Sequence, residues 1–181
     1  MKAVLISILI LWTDIALANP AGVIPYACVS GEPYVLLAFD PVSDRVGYAA
    51  FGGGRQGNET IAETAAREFQ EETRCVFDIP TVSELEVMTP SEVDGFYSYV
   101  VQVPFISHLE IPKHPCEARI ERFDWQWIRL RDLIEGLNSG EARPRILVSL
   151  MHKYITLWEG GAETLRKAIK DGLLGLEKIC H

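Results

Sequence analysis

The chain has 181 residues, enough for one globular domain with a sizeable core, and its 48% hydrophobic and 23% charged residues are the balance of a soluble fold. A formal net charge of −8 argues against a broad basic face, and so against nonspecific binding to nucleic acid. An acidic chain can still take a phosphorylated substrate if a divalent cation stands between its carboxylates and the phosphate.

The first residues carry a targeting pattern. Lys2 precedes a ten-residue apolar stretch, Ala3–Trp12, interrupted only by Ser7 and followed by Thr13-Asp14 and the small-x-small sequence Ala16-Leu17-Ala18. The run is too short for a spanning helix, which needs about 20 residues. Residues 1–18 are therefore expected to be a cleaved signal peptide and residues 19–181 a single domain. The competing expectation is an uncleaved N-terminal membrane anchor. Cleavage implies an exported chain, periplasmic or secreted, without stable membrane insertion. Export permits disulfides, and the mature part keeps Cys28, Cys75, Cys116 and Cys180. Cys75 reads as a buried thiol, and Cys28 with Cys116 or Cys180 as a bridge. No two cysteines have the spacing of a zinc CxxC pair.

Residues 21–29 read as a strand, with Pro25 suggesting an edge or a bulge. Ser30-Gly31-Glu32-Pro33 is a turn, and Tyr34–Phe39 a second strand. A loop opens at Asp40-Pro41, and a short strand, Tyr48–Phe51, stops at Gly52-Gly53-Gly54. Thr60-Ile61-Ala62-Glu63 fits a capping box, and Ala62, Ala65, Ala66 and Phe69 fall at helical spacing, so a helix runs from here to about Thr73. Val82–Met88, Phe96–Phe105 and Phe123–Ile128 read as strands, and Leu130–Leu137 as a helix. Arg145–Trp158 reads as a long amphipathic helix with a stripe through Leu147, Leu150, Met151, Tyr154, Ile155 and Trp158. A last helix, Ala162–Ile179, is interrupted at Gly172 and Gly175. Strands with helices in the middle and at the end suggest an α/β sandwich.

Chemistry concentrates on the first helix. Glu68, Glu71 and Glu72 stand at i, i+3 and i+4, which places three carboxylates on one face. Their mutual repulsion becomes coordination when a divalent cation binds, and carboxylate oxygens favour Mg²⁺ or Mn²⁺ over softer metals. The opposite, apolar face can pack on a sheet and hold the acids rigidly. The glycines before the helix let the backbone approach a ligand and expose a carbonyl. Arg67 lies four residues before Glu71 and can pair with it.

This order of residues resembles the Nudix box: Gly53, five residues, Glu59, seven residues, then Arg67-Glu68-Phe69-Gln70-Glu71-Glu72. The pattern's late glycine is Arg74 here. That glycine ends the helix in a left-handed conformation, so a non-glycine there costs on the order of 1 kcal/mol and bears on the following loop more than on the acids. The resemblance implies a Nudix-like α/β/α sandwich with a mixed central sheet and the acidic helix packed on it. It implies Glu68 and Glu72 as the principal metal ligands, Glu71 as a ligand or water contact, and the carbonyl of Gly52 as a further ligand. It also implies that Arg67 orients the acids, Glu59 supports loop and helix, and Mg²⁺ or Mn²⁺ is the cofactor. Arg55 is a candidate phosphate contact. Glu117 and Glu121, just before the strand at Phe123, are candidates for an extra base or ligand from outside the box.

The activity implied is metal-dependent hydrolysis of a small-molecule diphosphate, expected to be a nucleoside diphosphate linked to another group. Two other readings stand beside it. One is a noncatalytic module that keeps the fold. The other is a membrane-attached protein that uses the 145–158 stripe as a partner face. Homodimers are common in the family, so one is compatible with the chain. Trp125, Trp127 and Trp158 could stack a base, with burial expected for at least two of them. His108, His114, His152 and His181 read as surface or local packing.

Overall fold

Strand β1 (Ala21–Val29) turns through Ser30 and Gly31, both at positive φ, into β2 (Glu32–Asp40), which pairs with it antiparallel. A two-residue loop of this hand matches the twist of the flanking strands. The coordinates are a computed structural model that describes residues 19–78, 80–118, 120–176 and 180. The expected signal segment, residues 1–18, lies outside the described residues, as do residues 177–179 of the last predicted helix and His181.

A seven-stranded mixed sheet grows from this hairpin. One edge of β1 takes β2 at Tyr26–Val29 and then β4 (Phe51–Gly53) at Ala21–Val23, while its other edge runs parallel to β6 (Phe96–Gln102). β2 behaves likewise, with β1 and β3 (Gly47–Ala49) along one edge and β7 (Phe123–Arg129) on the other. β5 (Ser91–Val93) closes the outer side of β6. Pro25 was expected at an edge or bulge but sits in this central strand. It falls between the β4-paired and β2-paired stretches, where its missing N–H leaves no ladder bond unmade.

Alternate residues of the strands feed two cores. Leu36 and Ala38 join one cluster with Phe51, Phe69 and Phe77, under helix α1 (Ile61–Glu72) and the short helix α2 (Val82–Glu86). Val35 and Leu37 join the other, under α3 (Leu130–Leu137) and α4 (Glu159–Lys170). The architecture is the expected α/β/α sandwich. α1 is bolted to the sheet by Phe69, whose ring meets Phe51 edge-on at 5.6 Å and stacks on Phe77 at 5.4 Å. Full burial of such a side chain stabilises by about 1.5–3 kcal/mol. Trp125 and Trp127 are buried in the same cluster, as expected. No helix among the described residues is long and apolar enough to cross a membrane.

Four further sequence expectations are corrected. Arg145–Trp158 is not a helix but a hairpin of β8 (Arg145–Val148) and β9 (Lys153–Thr156), turning at His152 with φ +50°. The buried residues there are Ile146, Val148, Ile155 and Leu157, a period of two, while Leu147, Met151 and Tyr154 of the supposed stripe are exposed. Val82–Met88 begins with a helical turn rather than a strand, because Thr81 and Glu84 form a second capping box. Cys75 is exposed and bonded to Cys116, and Cys28 pairs with Cys180. The last helix ends at Lys170, ahead of Gly172.

Candidate active site

Two glycines let α1 lie close enough to the sheet for its acids to reach the backbone. Gly52 has φ +153°, which side-chain-bearing residues rarely adopt, and its N–H donates to Glu72 Oε2 at 2.8 Å. A Cβ on Gly53 would come within 2.6 Å of the Glu68 carboxyl. The capping box fixes the start of the helix: Glu63 N donates to Thr60 Oγ1, and Thr60 N to Glu63. Glu68 and Glu72 are buried on the inward side, while Glu71 lies further out.

Arg67 organises the outer half of the cluster. Its Nε donates to Glu59 at 2.7 Å, its Nη2 to the Gly54 carbonyl at 2.8 Å, and its Nη1 to both Glu68 (2.8 Å) and Glu71 (3.1 Å). A positive charge therefore already bridges two of the carboxylates. Held chiefly by Arg67, the Glu59 carboxyl falls to about 2. Burial raises Glu68 above the usual carboxylate range against the pull of Arg67, and the nearby charges of Glu71 and Glu121 add to the rise.

The inner half rests on a residue far away in sequence. Arg122 is buried, donates from Nε to Glu72 Oε1 at 2.7 Å, and lies 2.5 Å from Asp40 through Nη1. Asp40 also pairs with Arg45 at 3.3 Å. Trp125 Nε1 donates to the Glu72 carbonyl at 3.0 Å. Burial still dominates and pushes the Glu72 carboxyl up to about 7, although Arg122 and the Gly52 N–H pull it down. Each Glu72 oxygen keeps a second lone pair for a further partner.

Two openings meet at Arg45 and Arg122. One, of about 260 Å³, is lined by Asp40, Glu72 and Glu121. The other, of about 190 Å³, is lined by Gly52, Gly53, Phe96, Trp158 and Thr164. Arg45 and Arg122 line both; the acids line the first opening and the rings of Phe51, Phe96 and Trp158 the second. Glu121 thus shares a cleft with Glu72, whereas Glu117, also exposed, is not among the residues that line it. Arg55 lines a different cleft, of about 420 Å³, beside Glu59 and Tyr99. Among the described residues no three His, Cys, Asp or Glu side chains already converge as a metal cage. The donors nevertheless suit a hard cation, being carboxylate oxygens beside glycines that leave the backbone accessible.

The NUDIX domain family model matches residues 22–148. The chain belongs to the Nudix family. An uncharacterized protein, L534, of Acanthamoeba polyphaga mimivirus is 48% identical over 61 residues, 32% of this chain and 20% of that protein. The match thus spans about a fifth of that relative's length. A MutT/nudix family protein from Enterococcus faecalis shares the fold, with a TM-score of 0.51 at 15% identity over 89% of this chain and 64% of that one. A C. elegans Ap4A hydrolase in a binary complex gives a TM-score of 0.46 at 18% identity, over 64% and 83% of the two chains.

In this Nudix chain the box residues meet where their spacing predicted. Arg122, Asp40 and Arg45 were not singled out from the sequence. Asp40 marked only the opening of a loop, and Arg122 stood beside Glu121 without a motif of its own. The replacement of the late box glycine is resolved as expected. Arg74 takes φ +60°, Cys75 N donates to the Gln70 carbonyl at 2.7 Å, and Arg74 N donates to that of Glu71 at 3.3 Å. This is the Schellman pattern a glycine usually completes.

Proposed function

We propose that this Nudix enzyme hydrolyses a diphosphate linkage in a nucleoside diphosphate joined to another group, with Mg²⁺ or Mn²⁺ as cofactor. The observation that carries this reading is the seating of two buried carboxylates, Glu68 and Glu72, against the backbone of Gly53 and Gly52. Glu68, Glu71 and Glu72, with the Gly52 carbonyl, are the residues to hold the cation. When bound, it supplies charge neutralisation of the diphosphate and acidification of the attacking water.

The chain's own groups do the rest. Arg122 and the Gly52 N–H orient Glu72, and Arg67 orients Glu68 and Glu71. Glu121, in the cleft with Glu72, takes the proton from water as that water attacks phosphorus and the bridging P–O bond breaks. Arg45, half-exposed and lining both openings, contacts the diphosphate. Phe96 and Trp158 line the second opening, where a planar base can lie. Arg55 serves the outer phosphate from its separate cleft.

The apolar run at residues 3–12 and the bridges Cys28–Cys180 and Cys75–Cys116 support export to an oxidising compartment as part of this proposal. A homodimer is proposed on family resemblance alone, and light scattering tests it.

The test is phosphate or nucleotide release from a panel of nucleoside diphosphate compounds, with and without Mg²⁺ or Mn²⁺. The mature protein is compared with Glu72→Gln. Metal-dependent turnover that drops by about a thousandfold or more in the variant supports the reading. Folded protein without turnover on any diphosphate contradicts it and leaves the noncatalytic module.

A further inference from the structure

The chain departs from the Nudix pattern at Arg74, and the structure surrounds that departure with contacts to one remote segment. Cys75 is disulfide-bonded to Cys116, with the Cα atoms 5.7 Å apart. Arg74 Nη1 donates to the Ala118 carbonyl at 2.7 Å, and His114 Nδ1 donates to the Arg74 carbonyl at 2.9 Å. Three residues of the 114–118 segment thus grip two consecutive residues at the end of the catalytic helix, both at positive φ. A few residues on, Arg122 grips Glu72 of the same helix. Glu121 lies between these two attachments and lines the cleft that holds Glu72. A glycine at position 74 would complete the helix cap with less strain but could not reach Ala118.

We propose that Arg74 and the Cys75–Cys116 bridge form a clamp that positions Glu121 at the acidic cleft. This rests on the hydrolase reading above and on Glu121 serving there. Arg74 and Cys75 are positioning residues in this account. They act through Glu121 and touch no substrate. Backbone freedom at the helix end has been exchanged for a side-chain and covalent link, so the chain depends on an intact bridge where the box pattern depends on a glycine.

Four full-length oxidised proteins test this: wild type, Cys75→Ser/Cys116→Ser, Glu121→Gln, and the three substitutions together. Thiol titration first confirms that Cys75 and Cys116 are bonded in the wild type; free thiols in a fully active protein overturn the proposal. Opening the clamp should lower kcat about tenfold with KM within about twofold, and should lower it no further once Glu121 is Gln. Full additivity, or a Glu121→Gln enzyme as active as wild type, overturns the clamp.

Arg74→Gly guards against misfolding, because it relieves the backbone while removing the hydrogen bond to Ala118. Its kcat should fall about threefold with an unchanged melting temperature. A lower melting temperature with full kcat marks a merely structural contact and overturns the proposal. Amide exchange gives a readout independent of turnover. In the metal-free bridge-open protein, Ile120–Arg122 should exchange about tenfold faster while Ala62–Phe69 is unchanged; unchanged exchange at Ile120–Arg122 overturns the clamp. Wild type without turnover on any diphosphate refutes the hydrolase reading itself. Wild type with turnover and additive losses refutes only the clamp.

Discussion

Arg67 and Arg122 each hold a glutamate of the candidate active site through an Nε contact of 2.7 Å, yet the two glutamates move in opposite directions. Glu59, partly solvated and hydrogen-bonded by Arg67, Gln56 and Thr64, drops to about 2. Glu72, buried under β4 and β7, rises to about 7. The ion-pair length does not decide the outcome; the loss of water does. Glu59 is thus a permanent anion that fixes the loop before the helix. Glu72 is a carboxylate whose charge Arg122 only partly compensates, which leaves it open to a second positive partner.

The largest effect that could break this contrast is on stability. Arg122→Met leaves Asp40 and Glu72 buried without their shared cation and should cost about 3–5 kcal/mol in urea unfolding. Arg67→Met frees acids that water reaches and should cost about 1 kcal/mol. Equal losses, or the reverse order, would contradict the assignment of Glu72 as the desolvated member.

The pH dependence of the metal-free protein sharpens the contrast further. Because the folded pKa of Glu72 is raised, its contribution to stability is complete below its ordinary value and is lost as pH rises through about 7. Glu72→Gln should therefore match wild type near pH 4 and exceed it by on the order of a few kcal/mol near pH 8. Glu59 behaves oppositely. Its folded pKa is depressed, so its contribution is present above its ordinary value and is lost as pH falls toward about 2. Glu59→Gln should be the less stable protein at neutral pH, with the gap closing in acid. Chemical denaturation across pH measures both curves. Parallel curves would remove the distinction.

The smallest stability effect is expected at the glycine under Glu68. Gly53→Ala puts a methyl 2.6 Å from that carboxyl, at the flexible end of a side chain. Stability should change by less than about 1 kcal/mol while Mn²⁺ affinity falls, because Glu68 must turn away. A loss of stability with affinity intact would mean that Gly53 serves packing alone.

The local half of this site was legible in the sequence. Glu59, Arg67, Glu68, Glu71 and Glu72 lie within fourteen consecutive residues, and helical geometry alone brings four of them together. Thr60 and Glu63 announced the cap by the same logic. The remote half was not legible, because Arg122 reaches Glu72 across 50 residues and only tertiary contacts bring the two together. Cys75 was misread for a similar reason: its place just after the acidic helix, where an apolar residue would pack, suggested burial, whereas its partner lies 41 residues on. The 145–158 hairpin was misread because its apolar residues satisfy a helical stripe and a two-residue alternation equally well, and burial of Ile146, Val148, Ile155 and Leu157 decides between them.

The central claim is that the carboxylates of α1 hold a divalent cation. Mn²⁺ titration followed by electron paramagnetic resonance tests it most directly, on wild type, Glu68→Gln, Glu72→Gln and Glu117→Gln. The account predicts binding by wild type, weakening by at least about tenfold in each helix variant, and no change at Glu117. Wild type that binds no Mn²⁺, or helix variants that bind it as tightly as wild type, would contradict it.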